Sequence, residues 1–520
     1  THHARAGTTL MTSLGGMFSS WLGVVGYQAA GFLATALTAI VAVGVVPPHV
    51  FGDYWILLSI VQIVSGFCLS WVAQSLLPFA RAEINAGGSG LVSLSTAVAL
   101  QAAILGPILL VGWLARPLLS HVVDITPAVF TALALAVLLN AIFETTSYGL
   151  QARERFQGLG RGAALSKLGP LAAVLAIGAG VTASPLVLLL GFAGGIAAGF
   201  LAIVGALPAR HPHPSAPTLA RAREIGGYGW RLPLAIGVGL AAAWMHVWFV
   251  RVYVGADAAG TYSWAASIHA LVGAVLMPLS AVIAPHMMDL VFTEQHEASR
   301  QRVRIFLAAT ALTVIAAPTG LALVRLLAGA LPERYADAGP ILVLLLTAVP
   351  AQLISYLASP LLRASSSMIG RVVAVNVLMA VLSVPLNLVL TPWLGGIGAA
   401  LSLSLSTWAG ALLITALSDD MIGAARDATW RKLAQLALGG AISLATGLLA
   451  IRLGAGAALA CGVLLSFALL LAARWLGLLS PLAKLRLHLG FLPHAPRLVL
   501  TRFLDWCDVG AENRRCHGAG

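Results

Sequence analysis

Residues Tyr228–Met288 read YGWRLPLAIGVGLAAAWMHVWFVRVYVGADAAGTYSWAASIHALVGAVLMPLSAVIAPHMM. Two apolar runs of about 25 residues, each long enough to cross a hydrocarbon core of ~30 Å, flank a short polar turn from Gly255 to Thr261. Arg231, His246, Arg251 and His269 lie inside those runs. Ionisable groups are costly at membrane depth and face a cavity or a partner, so all four are candidates for function. The same hairpin occurs earlier in the chain. VVPPHVFGDY (Val45–Tyr54) aligns with YVGADAAGTY (Tyr253–Tyr262), and Val46, Gly52 and Tyr54 fall on Val254, Gly260 and Tyr262 at a constant offset of 208 residues.

Of 520 residues, 59% are hydrophobic and 9% charged, with a mean hydropathy of +0.93. Soluble domains carry about a quarter charged residues, so the chain is an integral membrane protein with no stretch polar enough for a soluble domain. The net charge of +12 follows from the positive-inside rule rather than from a nucleic-acid surface. Cys68 and Cys461 lie in apolar runs and are expected in the core, while Cys507 and Cys516 lie in a tail expected in the reducing cytosol. This usage fits neither a disulfide framework nor a zinc site. The N-terminal residues lack a cleavable-signal pattern, and the first apolar run is read as the first span.

Apolar runs give fourteen expected helices, beginning near Met17, Trp55, Leu91, Ile125, Ala163, Pro185, Trp230, Tyr262, Ile305, Gly339, Val372, Gly396, Leu433 and Ala455. Pro107, Pro170, Pro233, Pro278, Pro318, Pro350 and Pro385 mark expected kinks. An even count puts both termini on one side. With that side cytoplasmic, Arg116, Arg251, Arg325, Arg334 and Arg452 face outward and the other 25 of 30 basic residues face inward. The repeat continues in LQARERFQGLGR (Leu150–Arg161) and PLLRASSSMIGR (Pro360–Arg371), where Arg153, Gly160 and Arg161 match Arg363, Gly370 and Arg371 at an offset of 210. Six helices per repeat give two parallel halves related by an axis along the membrane normal. The expected organisation is a bundle over 1–207, a cytoplasmic linker over 208–227, a second bundle over 228–418, two further helices over 419–476 and an interfacial tail over 477–520.

His246 and His269 each lie about seven residues below the outer ends of their helices, at matched depth, with Arg251 just above. They form either an outward-opening cationic patch or separately packed histidines. Trp244, Trp248, Tyr262 and Trp264 surround this zone as an interfacial belt or as a surface for stacking on sugar rings. Glu144 and Lys167 match in depth from the cytoplasmic side, which suggests an ion pair or a proton-coupling site. Arg231 is either a snorkelling positive-inside residue or the first cation met by an anionic head-group. Gln28, Gln62 and Gln74 are uncharged cleft candidates or inter-helix hydrogen-bond partners. No phosphate-binding loop, metal-binding helix motif or acidic catalytic pair occurs, so the chain reads as a transporter without enzymatic chemistry or a cofactor.

The parallel six-plus-six repeat, the GDY and GTY turns, and the LGR and IGR turns together resemble the polysaccharide-repeat-unit flippases. These belong to the multidrug/oligosaccharidyl-lipid/polysaccharide exporter superfamily, and the resemblance covers about residues 15–475. It implies two six-helix bundles around a V-shaped cleft that alternates between faces, lined by helices one, two, seven and eight. Basic residues there receive the diphosphate of an undecaprenyl-linked oligosaccharide crossing to the periplasmic leaflet of a bacterial inner membrane. Carried onto this chain, Arg231, His246, Arg251 and His269 take that role, with Trp248 and Tyr262 as aromatic neighbours. The first helix departs from the lipid II flippase branch, which has arginines there; this one has only Gln28. The drug-exporting branch carries intramembrane carboxylates, of which Glu144 is the one counterpart, so an ion-coupled multidrug exporter is the alternative. Implied partners are the lipid-linked oligosaccharide, anionic lipids and polysaccharide polymerase and chain-length machinery, with no nucleic acid.

Overall fold

The computed structural model describes residues 26–27, 29–121, 123–153, 155–206, 216–229, 232–273, 314–326, 328–363, 369–421, 426–475 and 501–503. Gln28, Arg231, Pro278, Cys507, Cys516, the start of the linker and most of the tail lie outside them. Among the described residues the protein is helical with no strand. Eight of the described helices are long and apolar enough to cross a membrane, a bent pair makes a ninth when counted as one span, and Ala29–Val45 and Val314–Leu326 are shorter apolar helices. The chain is an all-α polytopic membrane protein. Contacts divide it into two compact units, one of residues 1–271 with 387–399 and one of residues 272–386 with 400–520.

In the first unit, α1 (Ala29–Val45) ends where Pro47 takes an extended conformation and Pro48 starts α2 (Pro48–Val64), the position at which a missing N–H costs nothing. A π turn (Ser65–Leu69) separates α2 from α3 (Ser70–Asn85). It frees two carbonyls that lipid would leave unsatisfied. Trp71 Nε1 donates to Cys68 O at 2.9 Å, and Gln101 Nε2 donates to Leu69 O at 3.1 Å. Gln101 sits on α4 (Leu91–Leu119), where Thr145 Oγ1 of α5 (Pro127–Ala152) donates to its Oε1 at 2.7 Å. Glu83 caps α4 by accepting from Val92 N and Ser93 N at 3.3 and 3.0 Å.

The next span is broken into α6 (Phe156–Ser166) and α7 (Leu168–Gly178). Pro170 explains the break, because its ring clashes with the carbonyl four residues back, at Ser166. These helices cross α8 (Pro185–Gly205) on glycines: a methyl on Gly169 would meet Gly191 O at 2.1 Å, and one on Gly195 would meet Ser166 O at 2.3 Å. Arginines finish the helix ends on the side expected to be cytoplasmic, Arg81 donating to Ala152 O at 3.1 Å and Arg155 to Ala206 O at 2.8 Å. Part of the positive-inside excess therefore caps helix C-termini.

The linker is not wholly an open connector. Its second half forms α9 (Leu219–Gly229), with Ile225 fully buried against Val72, Leu76 and Ala80 and Arg221 over the Phe79 ring. A single apolar residue among charges left this docking unreadable by composition. The first unit also contains α10 (Leu232–Tyr253), α11, described over 256–273, as far as residue 271, and the end of α15 (Ile369–Leu394) from Asn387.

In the second unit, α12 (Val314–Leu326) leads through a 3₁₀ turn (Glu333–Tyr335) into α13 (Ala338–Leu346) and α14 (Val349–Arg363). This pair is bent by 42° just before Pro350. Neighbours again hold the freed carbonyls. Ser404 Oγ donates to Leu344 O at 2.7 Å, and Trp408 Nε1 and Ser443 Oγ donate to Thr347 O at 3.0 and 3.2 Å. Their helices are α16 (Gly396–Met421) and α17 (Arg426–Arg452); α15 (Ile369–Leu394) and α18 (Ala455–Trp475) complete the chain. Pro107, Pro318 and Pro385 sit inside unbroken helices and Pro233 in the first turn of α10, so among the described residues Pro170 and Pro350 are the expected kinks that mark breaks. Cys68 is half-buried, whereas Cys461 lies on the exposed face of α18 rather than in a core.

Candidate functional site

The two turns that the sequence relates by repeat meet each other. Both belong to the first unit. Gly52 of α2 approaches Gly260 of α11 so closely that a methyl on Gly52 would lie 2.7 Å from Ala256 O, and one on Gly260 would lie 1.7 Å from Pro48 O. The offset of 208 maps Gly52 on Gly260 and Pro48 on Ala256, so the two contacts are equivalents of each other across a local two-fold relation. The turns are made differently: Pro47 is extended at φ −63°, while Gly255 has φ +119°, which favours glycine.

Charged groups surround this crossing. Asp257 Oδ1 accepts from His49 N at 3.1 Å and lies 3.4 Å from His49 Nδ1 on an exposed surface. Pro47 has no capping side chain, so Asp257 caps α2 from the equivalent helix. Asp53 Oδ1 lies 3.1 Å from Arg251 Nη2, both side chains being about one-fifth exposed. His49, Asp53 and Asp257 were not singled out from sequence, although each stands in one of the aligned turns. Their relation depends on the turns touching.

The cation candidates of the hairpin are therefore partly committed. Arg251 is paired with Asp53. His246 is buried and its Nδ1 lies 2.9 Å from Asn387 Nδ2 on α15 and 3.3 Å from Asn387 Oδ1; Thr391 Oγ1 donates to the same Oδ1 at 3.1 Å. His269 is buried, with Nε2 lacking a hydrogen-bond partner among the described residues. The aromatic residues are not an exposed belt. Trp264 Nε1 donates to Ala39 O at 2.9 Å, Trp248 Nε1 donates to Ser59 Oγ at 2.8 Å, and Trp244 packs on Trp55 with ring centroids 5.0 Å apart. Tyr262 is 3% exposed and presents almost no surface to a ligand. The apolar area these rings bury, together with partners for the Trp264 and Trp248 indole N–H groups, draws them between helices.

Gln62 and Gln74 are half-buried on α2 and α3. Glu144 and Lys167 do not form the expected ion pair. Ser70 Oγ donates to Glu144 Oε2 at 2.6 Å, while Lys167 is exposed at the α6–α7 break, where its stem packs beside Gly31. The depths do not match either: α6 begins at Phe156, which puts Lys167 eleven residues from that end against eight for Glu144 from Ala152, and facing depends on helix rotation, which turns Glu144 toward the π turn. Among the described residues no group of three or more His, Cys, Asp and Glu converges as a metal site.

No family model and no curated protein matches the sequence. Solved structures do match. The lipid II flippase MurJ, in an inward closed conformation, shares 12% identity and a TM-score of 0.60 over 87% of this chain and 99% of its own. An inward-facing multidrug resistance MATE family transporter of the MOP superfamily shares 11% identity and a TM-score of 0.55 over 77% of this chain and 98% of its own. A single-residue mutant of the Vibrio cholerae MATE transporter VcmN shares 12% identity and a TM-score of 0.53 over 78% and 98%. At such identities the likeness is one of fold alone: this chain shares the fold of the MurJ flippase and of the MATE transporters.

Proposed function

We propose that the protein is a flippase that moves an undecaprenyl-diphosphate-linked oligosaccharide from the cytoplasmic to the periplasmic leaflet of a bacterial inner membrane by alternating access, for surface polysaccharide synthesis. One observation supports this reading. The lipid flippase matches 87% of the chain, whereas the two MATE transporters match 77% and 78% with nearly all of their own length. The difference is about 50 residues of 520, the size of the α17–α18 pair.

In this reading Arg231 and His269 receive the diphosphate, and Arg251 exchanges its bond to Asp53 for the head-group as the turns part. Trp248 and Tyr262 become available to sugar rings in the same step. Both termini are cytoplasmic, and the protein works beside a polysaccharide polymerase. Deleting the gene then leaves lipid-linked oligosaccharide on the inner leaflet. Wild type relieves the accumulation, and an Arg231→Ala, Arg251→Ala double variant does not. Relief by both keeps the flippase and discards this site. Normal surface polysaccharide without accumulation discards the flippase in favour of the ion-coupled exporter.

A further inference from the structure

The arginines near helix ends are of two kinds. Arg81 and Arg155 donate to carbonyls at the ends of α5 and α8. Arg116, in the last turn of α4, does not cap a helix. Ser120 closes that turn, its backbone N and its Oγ donating to Arg116 O at 3.0 and 2.9 Å. The Arg116 Cζ lies 4.5 Å from the centroid of the Trp113 ring, and Trp113 meets Phe130 of α5 edge-on with centroids 5.2 Å apart. There Nη1 is buried with no hydrogen-bond partner among the described residues. Leu110, Leu114 and Leu118 of the same helix are exposed. The cation thus stands beside an apolar surface, three residues from the Leu119 end of α4, about 4.5 Å into the span at 1.5 Å per residue.

The second unit repeats the arrangement. Arg325 lies 209 residues after Arg116, between the offsets of 208 and 210 that relate the aligned turns. It occupies the last turn of α12, half-buried, with Nε buried and lacking a hydrogen-bond partner among the described residues. The same offset carries Trp113 to Ala322 and Phe130 to Gly339. The aromatic seat has no counterpart there, and Arg325 Nη1 instead lies 3.6 Å from the place a methyl on Gly339 would take. Two equivalent positions carry a cation with an orphaned guanidinium nitrogen, although the side chains around them differ. A leucine would fill either space without leaving a donor unpaired, so packing alone does not account for both.

Both arginines are among the five expected on the outer side, where basic residues are disfavoured. An uncompensated guanidinium near a helix end extends to the anion at its own depth, and in a bilayer that anion is the phosphodiester of a lipid head-group. The planar guanidinium fork pairs bidentately with phosphate oxygens and rests on an aromatic face at the same time. We propose that Arg116 and Arg325 are two phospholipid sites, one in each unit, each holding the phosphodiester of an anionic lipid in the leaflet that its helix end reaches. The exposed leucines of α4 offer the acyl chains an apolar surface beside the first site. Neither site depends on the nature of the cargo.

Native mass spectra of the full-length protein released from detergent micelles, titrated with phosphatidylglycerol, test this. Wild type is expected to bind two lipids ahead of any others. Arg116→Ala and Arg325→Ala each weaken one of the two by about tenfold, as a charge-assisted pair is removed, and the double variant loses both. Arg116→Lys keeps the charge without the fork and gives an intermediate loss; where Arg116→Ala does not fold, it carries the test. Diacylglycerol with the same chains and no phosphate does not occupy the sites, and excess inorganic phosphate does not displace the lipid. Equal lipid retention by wild type and variants overturns the proposal. So does equal occupancy by diacylglycerol, displacement by inorganic phosphate alone, or a polypeptide adduct that is lost with the arginines. Unchanged gel-filtration and circular-dichroism profiles tie the losses to the guanidinium groups.

Discussion

The GDY turn and the GTY turn are equivalents in sequence and neighbours in space, and they divide the work unequally. Backbone geometry is shared. Gly52 and Gly260 both sit where a methyl group would strike the opposite helix, and Tyr54 and Tyr262 are both buried. Charge is not shared. Asp53 corresponds to Thr261, whose hydroxyl bonds Asp257 O at 3.0 Å, and Arg251 corresponds to Val43. The ion pair Asp53–Arg251 therefore has no second copy, nor does the cap of α2 by Asp257. Close approach at a local two-fold constrains both halves alike. A salt bridge needs one acid and one base, so equivalent positions are free to diverge into complementary partners.

Substitutions grade this comparison. Gly260→Ala is expected to cost most, about 3 kcal/mol, because rigid backbone lies in the path of the added methyl; Gly52→Ala, with a looser approach, costs about half of that. Thermal unfolding in detergent ranks the two, and equal melting temperatures would mean that the crossing relaxes symmetrically. Asp53→Ala and Arg251→Ala each leave a partly buried charge alone. A double-mutant cycle on the same melts is expected to return a coupling of about 1 kcal/mol that weakens with salt. Additive losses would show the pair to be unimportant to the contact. Asp257→Ala removes the cap of α2 and costs about 1 kcal/mol, whereas His49→Ala leaves the backbone N–H acceptor in place and costs under about 0.5 kcal/mol. If His49→Ala were the worse of the two, the side-chain pair rather than the cap would hold the turn. The weakest effect on melting is expected from Glu144→Gln, which keeps an acceptor for the Ser70 hydroxyl.

The broken helices carry the same lesson in the two units. The π turn after α2 and the bend before α14 both release carbonyls, and both are mended by side chains from elsewhere: Trp71 and Gln101 in one, Ser404, Trp408 and Ser443 in the other. Pro350 announced the second break in the sequence. Nothing comparable announced the first, since Ser65–Leu69 contains no proline.

Apolar runs determined the helices, because lipid offers the backbone no other hydrogen-bond partners; α4, α8, α16 and α18 begin at the residues where their runs begin. Repeat arithmetic determined that Gly52 and Gly260 are equivalents, and proline positions foretold the breaks beside Ser166 and Leu346. Only the tertiary structure decided which charges meet. His246 reaches Asn387 from 141 residues away, Arg251 reaches Asp53, and Glu144 turns to Ser70 instead of Lys167. Hydropathy reports how deep a residue lies along its own helix. Partner choice depends on helix rotation and crossing, which are settled by packing between segments that hydropathy treats one at a time.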